Sequence, residues 1–254
     1  GSFTLEAAQH VVQDAQIDPW AALDHLGALF DKSLVLAEGD PVPRYRLLET
    51  ARAYALERLA EAGETQAMMR RHAEALRQLL TAFEREDQEK GVTRAGMGVA
   101  AAELDNLRAA LAWVATAPGC EELAIALAGN SLRVWNATFQ LSEGMNRCLA
   151  LRQHLRDDMP LSVVARFWLT IARLGIYSTR RESFDAAGTA AQLYRQIGDA
   201  SRLFDALLAG AVQGVRFGTA EDMQRAVAEA ARLERPDWPP RQRAFLEFAR
   251  GRVF

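Results

Sequence analysis

The chain has 254 residues, of which 50% are hydrophobic and 25% are charged, and its formal net charge is −3. A chain of this length and apolar content can bury one large or two modest cores, which excludes an intrinsically disordered protein. The slightly acidic balance excludes a uniformly positive surface of the kind that binds nucleic acid by neutralising phosphates.

The cysteine content and the hydropathy pattern indicate in which cellular compartment the protein resides. Two cysteines in a chain of this length are too few for a disulfide framework. No apolar run reaches the ~18 residues that would span a bilayer, and no signal peptide precedes the first predicted helix. We therefore expect a cytoplasmic protein with reduced thiols and no membrane partner.

Residues 1–64 are predicted to form a winged-helix module. After a first short helix, Asp18-Pro19 supplies the cap and the first-turn proline of a second one. The short apolar segments 34–36 and 45–47 flank the turn-rich stretch 39–43, which predicts a two-stranded β-hairpin. A longer helix follows the hairpin. Helix, helix and hairpin in this order are typical of a winged helix.

Residues 65–118 are predicted to be connecting helices. Apolar residues at three- and four-residue spacing from Met69 to Phe83 predict a long helix. The charged run 84–87 is predicted to be its solvated end, and the glycine-rich stretch 91–98 is predicted to be a loop. One more helix completes this segment.

Residues 119–254 are predicted to form an α-α superhelix of helical hairpins, so that the fold class is mainly α. Helix starts recur every ~38 residues when helices are counted in pairs, which is close to the period of helix-turn-helix solenoids. The predicted helices are 121–139, 142–156, 161–177, 182–197, 200–216, 219–234 and 239–254. The last one runs to the end of the sequence without a polar cap, so we expect the array to be truncated.

Three sequence blocks in the first half resemble one protein family. They are LFDKSLV at 29–35, RYRLLETARAYA at 44–55 and ELDNLRAALAW at 103–113. In this order they resemble the region that follows the nucleotide-binding domain in bacterial STAND-type predicted ATPases. These proteins are signalling regulators, often with an N-terminal DNA-binding domain, and the resemblance covers residues 3–115.

A further resemblance lies in the second half. Residues 194–199 and 206–210 resemble the junction of two tetratricopeptide repeats, with Gly210 where that pattern has a small residue for close helix packing. Asp222 in the next hairpin stands where an alanine is expected, so we describe the repeats as TPR-like. Together the two resemblances imply a fragment without catalytic residues, whose parent hydrolyses ATP through a domain upstream in the same polypeptide.

The residue patterns of enzymes and metal sites are weak in this sequence. Residues 91–98 carry glycines at the spacing of a phosphate-binding loop but lack the lysine that neutralises the phosphates. The four histidines are scattered singly, and no two of them have the spacing that places both on one helix face. We therefore expect no enzymatic activity, no cofactor and no metal.

The strongest candidate for a binding surface is a basic and aromatic group around the third predicted helix of the array. Such side chains on the inner face of a solenoid could hold an acidic peptide or a small anion. The group comprises Arg166, Trp168, Arg173, Tyr177, Arg180 and Arg181. The alternative is that Trp168 belongs to a hairpin core and that Arg180 and Arg181 lie in a solvated turn.

The winged-helix module does not have the composition of a DNA-binding domain. Its second helix, Trp20 to Asp31, offers no Arg, Lys, Asn or Gln to read base edges, and residues 1–65 carry eleven acidic and five basic side chains. Arg44 and Arg46 on the wing could contact phosphates. We nevertheless expect the module to pack on the upstream ATPase domain and to relay its state.

The expected function is therefore a non-catalytic sensor fragment of a signalling NTPase that regulates transcription. Its helical repeats would bind a protein or a small effector, because stacked hairpins present a continuous concave surface. The alternative is a winged-helix transcription factor domain that binds nucleic acid directly.

Overall fold

The computed structural model describes residues 1–13, 18–39, 42–176 and 178–253. Within these ranges the chain is mainly α-helical, with 14 α-helices and one two-stranded antiparallel sheet. The predicted mainly helical fold with a single β-hairpin is therefore confirmed.

The first part of the chain consists of three helices and the hairpin. These elements are α1 (Leu5–Val12), α2 (Pro19–Asp31), β1 (Val35–Glu38), β2 (Arg44–Leu47) and α3 (Glu49–Glu61). Both early helices begin at side-chain caps: Thr4 Oγ1 accepts from the Ala7 amide, and Asp18 accepts from the Trp20 and Ala21 amides. The strands pair from Val35 opposite Leu47 to Glu38 opposite Arg44.

The next part consists of one long and two shorter helices. They are α4 (Thr65–Lys90), α5 (Arg94–Ala101) and α6 (Leu104–Val114). The prediction of a loop over 91–98 is wrong from Arg94 onward, because Thr93 Oγ1 accepts from the Gly96 amide and starts α5. The charged run 84–87 is also not simply a solvated helix end, since three of its members make ion pairs with arginines of the array.

The remaining chain forms the helical array. Its helices are α7 (Glu121–Asn130), α8 (Leu132–Ala137), α9 (Leu141–Leu151), α10 (Leu161–Leu174), α11 (Arg181–Ile197), α12 (Ala200–Phe217), α13 (Ala220–Leu233) and α14 (Pro240–Val253). The single helix predicted over 121–139 is two helices that meet at Ser131. Its hydroxyl donates to the Ala128 carbonyl and accepts from the indole of the fully buried Trp135, so the chain bends where this side chain turns inward.

The helices of the array pack in sequence. Each of α10 to α13 contacts the next helix, and α12 also contacts both α10 and α14. The described residues form two buried apolar clusters, and α10 contributes to both: Phe167 and Ile171 belong to the first, Ala165 and Leu169 to the second. Stacked hairpins of this kind derive their stability mainly from contacts between neighbours.

The long helix α4 lies against the array rather than apart from it. Its buried side chains Ala73, Leu76, Leu80 and Phe83 join the first cluster, which continues through α7 to α12. The divisions proposed at residues 64 and 118 stay predictions. None of the described helices has both the length and the apolar character needed to cross a membrane.

Candidate functional site

A charged cavity lies where the end of α4 meets four helices of the array. It has a volume of about 110 Å³ and is bordered by side chains from α4, α5, α8, α10, α12 and α14. Its charged lining comprises Arg133, Arg166, Arg173, Arg202, Arg241, Glu84, Asp87 and Asp205. We call this cavity the arginine pocket. Its lining has five guanidinium groups and three carboxylates, and two further carboxylates just outside the lining pair with two of the arginines.

Arg133 of α8 forms the best-buried part of the pocket wall, with a side chain that is 3% exposed. Its Nη1 donates to the Phe83 carbonyl at 3.0 Å and lies 3.0 Å from Glu86 and 3.1 Å from Asp87. Its guanidinium also stacks 4.7 Å from the centre of the Phe83 ring. Arg133 therefore ties α8 to the C-terminal turns of α4.

Arg166 and Arg173 lie two turns apart on α10 and both reach the pocket. Arg166 makes an ion pair with Glu84 of α4. Burial lowers the pKa of Arg166 to about 10, which still leaves it protonated at neutral pH. Arg173 holds Asp205 of α12 at 3.4 Å, a long contact that leaves most of its donors free.

Arg202 and Arg241 supply the far wall. Arg202 pairs with Asp199 of its own first turn at 2.6 Å and donates to Gln88 of α4 over 3.4 Å. Burial and the positive charge of Arg173 lower the pKa of Arg241, against the opposing effect of Asp205 and Asp87. Within the described ranges, no hydrogen bond or ion pair engages the Arg241 guanidinium.

Asp87 lies among these cations. Burial raises its pKa by more than the nearby Arg133, Arg241 and Arg173 lower it. Its Oδ1 is buried and accepts no hydrogen bond from the described residues, although Nη1 of Arg133 is 3.1 Å away. The pocket thus holds a carboxylate oxygen that accepts no hydrogen bond from the described residues, beside guanidinium groups that have unused donors.

The structure brings only part of the predicted binding surface together. Arg166 and Arg173 line the arginine pocket, whereas Trp168 packs against both apolar clusters with its ring edge-on to Phe167 at 5.3 Å. Tyr177 lies outside the described residues.

The two remaining arginines of that prediction lie at the start of α11, away from the pocket lining. Arg180 is 3.7 Å from Glu182, and Arg181 is 3.6 Å from Asp185. Arg181 is exposed, whereas Arg180 is half-exposed and also donates to Asn146 Oδ1; their ion pairs are of the surface type that contributes little to stability.

The two arginines of strand β2 that were predicted as phosphate contacts have different surroundings. Arg44 is largely buried, pairs with Glu103 at 2.7 Å and donates to Ser2 and to the Ala102 carbonyl. Arg46 is exposed and lies 4.0 Å from Glu38. Arg44 therefore fastens the hairpin to the segment between α5 and α6, and only Arg46 extends into solvent.

Six charged pocket residues were not predicted as site residues from the sequence, namely Arg133, Arg202, Arg241, Glu84, Asp87 and Asp205. A signal for the arginines exists: one stands near the start of α8, α12 and α14, and Arg166 lies in α10 between them, at intervals of about one repeat length. No comparable signal marks Asp87, because its place depends on how α4 crosses the array.

The described part of the chain offers few groups for metal binding or nucleophilic catalysis. No group of three His, Cys, Asp or Glu side chains there could hold a metal ion. Cys120 and Cys148 are buried free thiols, and burial raises the pKa of Cys148 to about 12, which makes it a poor nucleophile. A larger apolar groove of about 520 Å³ runs between α1 and α4 past His72.

Comparison with known proteins links the chain to mycobacterial regulators. "Putative HTH-type transcriptional regulator Rv0890c" of Mycobacterium tuberculosis is 33% identical over 250 residues, which cover 89% of this chain and 27% of that protein. Its Mycobacterium bovis counterpart, "Putative HTH-type transcriptional regulator Mb0914c", matches to the same extent. An uncharacterised protein of Mycobacterium tuberculosis is 38% identical over 80 residues, 31% of this chain and 20% of that protein.

The matches to the two regulators cover most of this chain but only a small part of those proteins. The chain spans about a quarter of the length of the two similar regulators. No family model matches the sequence, and no solved structure does.

Proposed function

We propose that the chain is the non-catalytic sensor part of a STAND-type transcriptional regulator. In this proposal residues 1–64 are a winged-helix module, residues 119–254 are TPR-like repeats, and an effector binds in the arginine pocket. The observation that carries the proposal is the position of that pocket, where acidic side chains of α4 meet arginines of the array.

The similar proteins support a role in transcription. Two of them are named as HTH-type transcriptional regulators, and the match extends over most of this chain. The sequence blocks at 29–35, 44–55 and 103–113 resemble the region after the nucleotide-binding domain of STAND-type ATPases. In that arrangement the ATPase lies upstream in the same polypeptide and this part biases its state.

The route from pocket to module runs along α4. Three residues separate this helix from the end of α3, and its other end places Glu84 and Asp87 against Arg166 and Arg133. An effector bound in the arginine pocket would place negative charge beside these ion pairs and would therefore alter the hold of the array on α4. A ligand shifts such an equilibrium by its differential affinity for the two states.

The surface of residues 1–64 suits a neighbouring domain. Trp20 is 75% exposed and Tyr54 is 62% exposed, and further apolar side chains of α2, the hairpin and α3 are also open to solvent. Exposed aromatic groups of this kind are typical of interaction sites. We propose that they pack on the upstream ATPase domain.

A genetic experiment tests the proposal. The double variant R173Q/R241Q is introduced into the gene in its source organism and compared with an in-frame deletion and with R243Q, an exposed arginine on α14. Transcripts that change in the deletion strain should change in the same direction in R173Q/R241Q and should stay at wild-type levels in R243Q. Immunoblotting checks that each variant accumulates normally.

Two results would overturn the regulatory role. One is a deletion strain whose transcripts all match those of the wild type. The other is an R173Q/R241Q strain that accumulates normal protein and leaves every deletion-sensitive transcript at its wild-type level.

A further inference from the structure

We infer that the arginine pocket binds a phosphoryl group, either as inorganic phosphate or as the phosphate monoester end of a small molecule. This inference names the ligand class of the effector site and so rests on the proposed function. It is argued from the charge, the free donors and the size of the cavity.

The arrangement of charge around the pocket favours an anionic ligand. Glu86 and Asp199 balance Arg133 and Arg202 from outside the lining, whereas Arg241 has no ion-pair partner among the described residues and Arg173 has only one, at 3.4 Å. A phosphate monoester carries about −1.5 to −2 charges at neutral pH. A single group of this kind could therefore pair with both Arg173 and Arg241, whereas one carboxylate carries only a single charge.

The free donors point the same way. Arg241 has no hydrogen-bond or ion-pair partner among the described residues, and Arg173 has only the long contact with Asp205. Arg202 uses one nitrogen for Asp199 and one, at 3.4 Å, for Gln88. These three guanidinium groups come from different helices, α10, α12 and α14, and all border the same cavity.

The shape of a phosphoryl group suits donors that converge from several helices. Its oxygens point to the corners of a tetrahedron and accept from several guanidinium forks, whereas a carboxylate offers two oxygens in one plane. A cavity of about 110 Å³ has room for this group but not for a nucleotide. The rest of a larger ligand would therefore extend out of the pocket mouth.

Isothermal titration calorimetry on the 254-residue chain tests the inference. The probes are inorganic phosphate and glycerol 3-phosphate, with succinate as the carboxylate comparison, all at one ionic strength. We expect saturable one-site binding of at least one phosphate probe, and succinate should bind at least about tenfold more weakly. The tighter of the two phosphate probes identifies the source of the phosphoryl group.

Variants of α14 locate the binding site. R241Q should weaken phosphate binding by about tenfold or more, because it removes charge-assisted hydrogen bonds. R243Q, two residues away and exposed, should bind within about twofold of the wild type. R241K keeps the positive charge but loses the forked guanidinium group. Its affinity for phosphate should therefore lie between those of R241Q and the wild type. Because burial and Arg173 disfavour the charge of Arg241, the melting temperature of R241Q should be no lower than that of the wild type.

Several outcomes would overturn the inference. They are the absence of saturation with either phosphate probe up to ~10 mM, an equal loss of binding in R243Q and R241Q, and succinate binding as tight as phosphate.

The calorimetry tests the ligand class and the transcript comparison tests the regulatory role, so the two proposals can be overturned separately. If R173Q/R241Q changes the transcripts and the chain binds no phosphate probe, the ligand class is wrong and the regulatory role stands. If R241Q abolishes phosphate binding while R173Q/R241Q transcripts match the wild type, the ligand class stands and the regulatory role is wrong.

Discussion

Arg133 occupies its buried position because a glycine faces it. A Cβ atom on Gly96 of α5 would overlap Nη2 of the Arg133 guanidinium. The same guanidinium holds Phe83, Glu86 and Asp87 of α4, so one missing side chain permits a junction of three helices. A glycine is needed at this position because it leaves room for the Arg133 guanidinium, and not because the backbone adopts an unusual angle.

We predict that G96A destabilises the protein by about 1–3 kcal/mol, because the added methyl group displaces a buried, fully packed guanidinium. Chemical denaturation at neutral pH measures the loss. The control is G98A in the same helix, where a Cβ meets nothing within 4 Å and where alanine should stabilise by up to ~1 kcal/mol. If both substitutions stabilised the protein alike, Gly96 would have no packing role.

The two pocket residues that were predicted from the sequence lie on one helix. Arg166 and Arg173 are seven positions apart, and helical periodicity alone places them on one face. Arg202 and Arg241 join them only because α12 packs beside α10 and α14 packs beside α12, and that alignment depends on the packing of hairpins. The position of Asp87 in the pocket is still harder to predict from the sequence, since this residue belongs to a helix that precedes the array.

Helix boundaries were predictable where caps and periodicity agreed. The starts of α12 and α13 follow from Asp199 and Thr219, which accept hydrogen bonds from the first-turn amides. The start of α5 was missed because its glycines suggested a loop more strongly than Thr93 suggested a cap. The break at Ser131 was missed because it accompanies the complete burial of Trp135, which depends on tertiary packing.

Glu143 links two helices by charge. It accepts from Arg108 of α6 and from Arg147 of α9 at 2.6–3.0 Å. Hydrogen bonds from Arg108, followed by those from Arg147, lower the pKa of Glu143 to about 2, despite the opposing effect of burial. A carboxylate whose pKa is lower in the folded than in the unfolded state stabilises the fold while it is ionised.

We predict that E143Q lowers the free energy of unfolding by about 1–2 kcal/mol at pH 7, a value reduced for the partial exposure of the side chain. The stabilisation is complete above the unfolded-state pKa near 4.5 and is lost as the pH falls toward 2. Urea denaturation of wild type and E143Q should therefore converge between pH 4.5 and pH 2.

A matched surface glutamate provides the control for this titration. Glu182 lies 3.7 Å from Arg180 and is exposed, so E182Q should change the free energy of unfolding by no more than about 0.5 kcal/mol. A difference between wild type and E143Q that persisted undiminished at pH 2 would show that ionisation of Glu143 is not its source.

Charge is unevenly distributed along the chain. Residues 1–65 carry eleven acidic and five basic side chains, and one of the basic ones, Arg44, is held by Glu103. The arginine pocket, with its cluster of guanidinium groups, lies at the other end of α4 and among the packed helices. The sequence predicts the first feature from composition alone, whereas the second requires the path of α4 across the array.

This distribution leads to a prediction about DNA. At ~50 mM salt the 254-residue chain should form no complex with a random 20-base-pair duplex in a gel-shift experiment, since an acidic module repels phosphates and the pocket is too narrow for a duplex. Replacing Asp24, Asp31, Glu49 and Glu57 by lysine makes the formal charge of residues 1–65 positive. That variant should bind weakly and release the duplex as salt increases. A salt-dependent complex with the unmodified chain would instead support the alternative in which the winged helix contacts DNA directly.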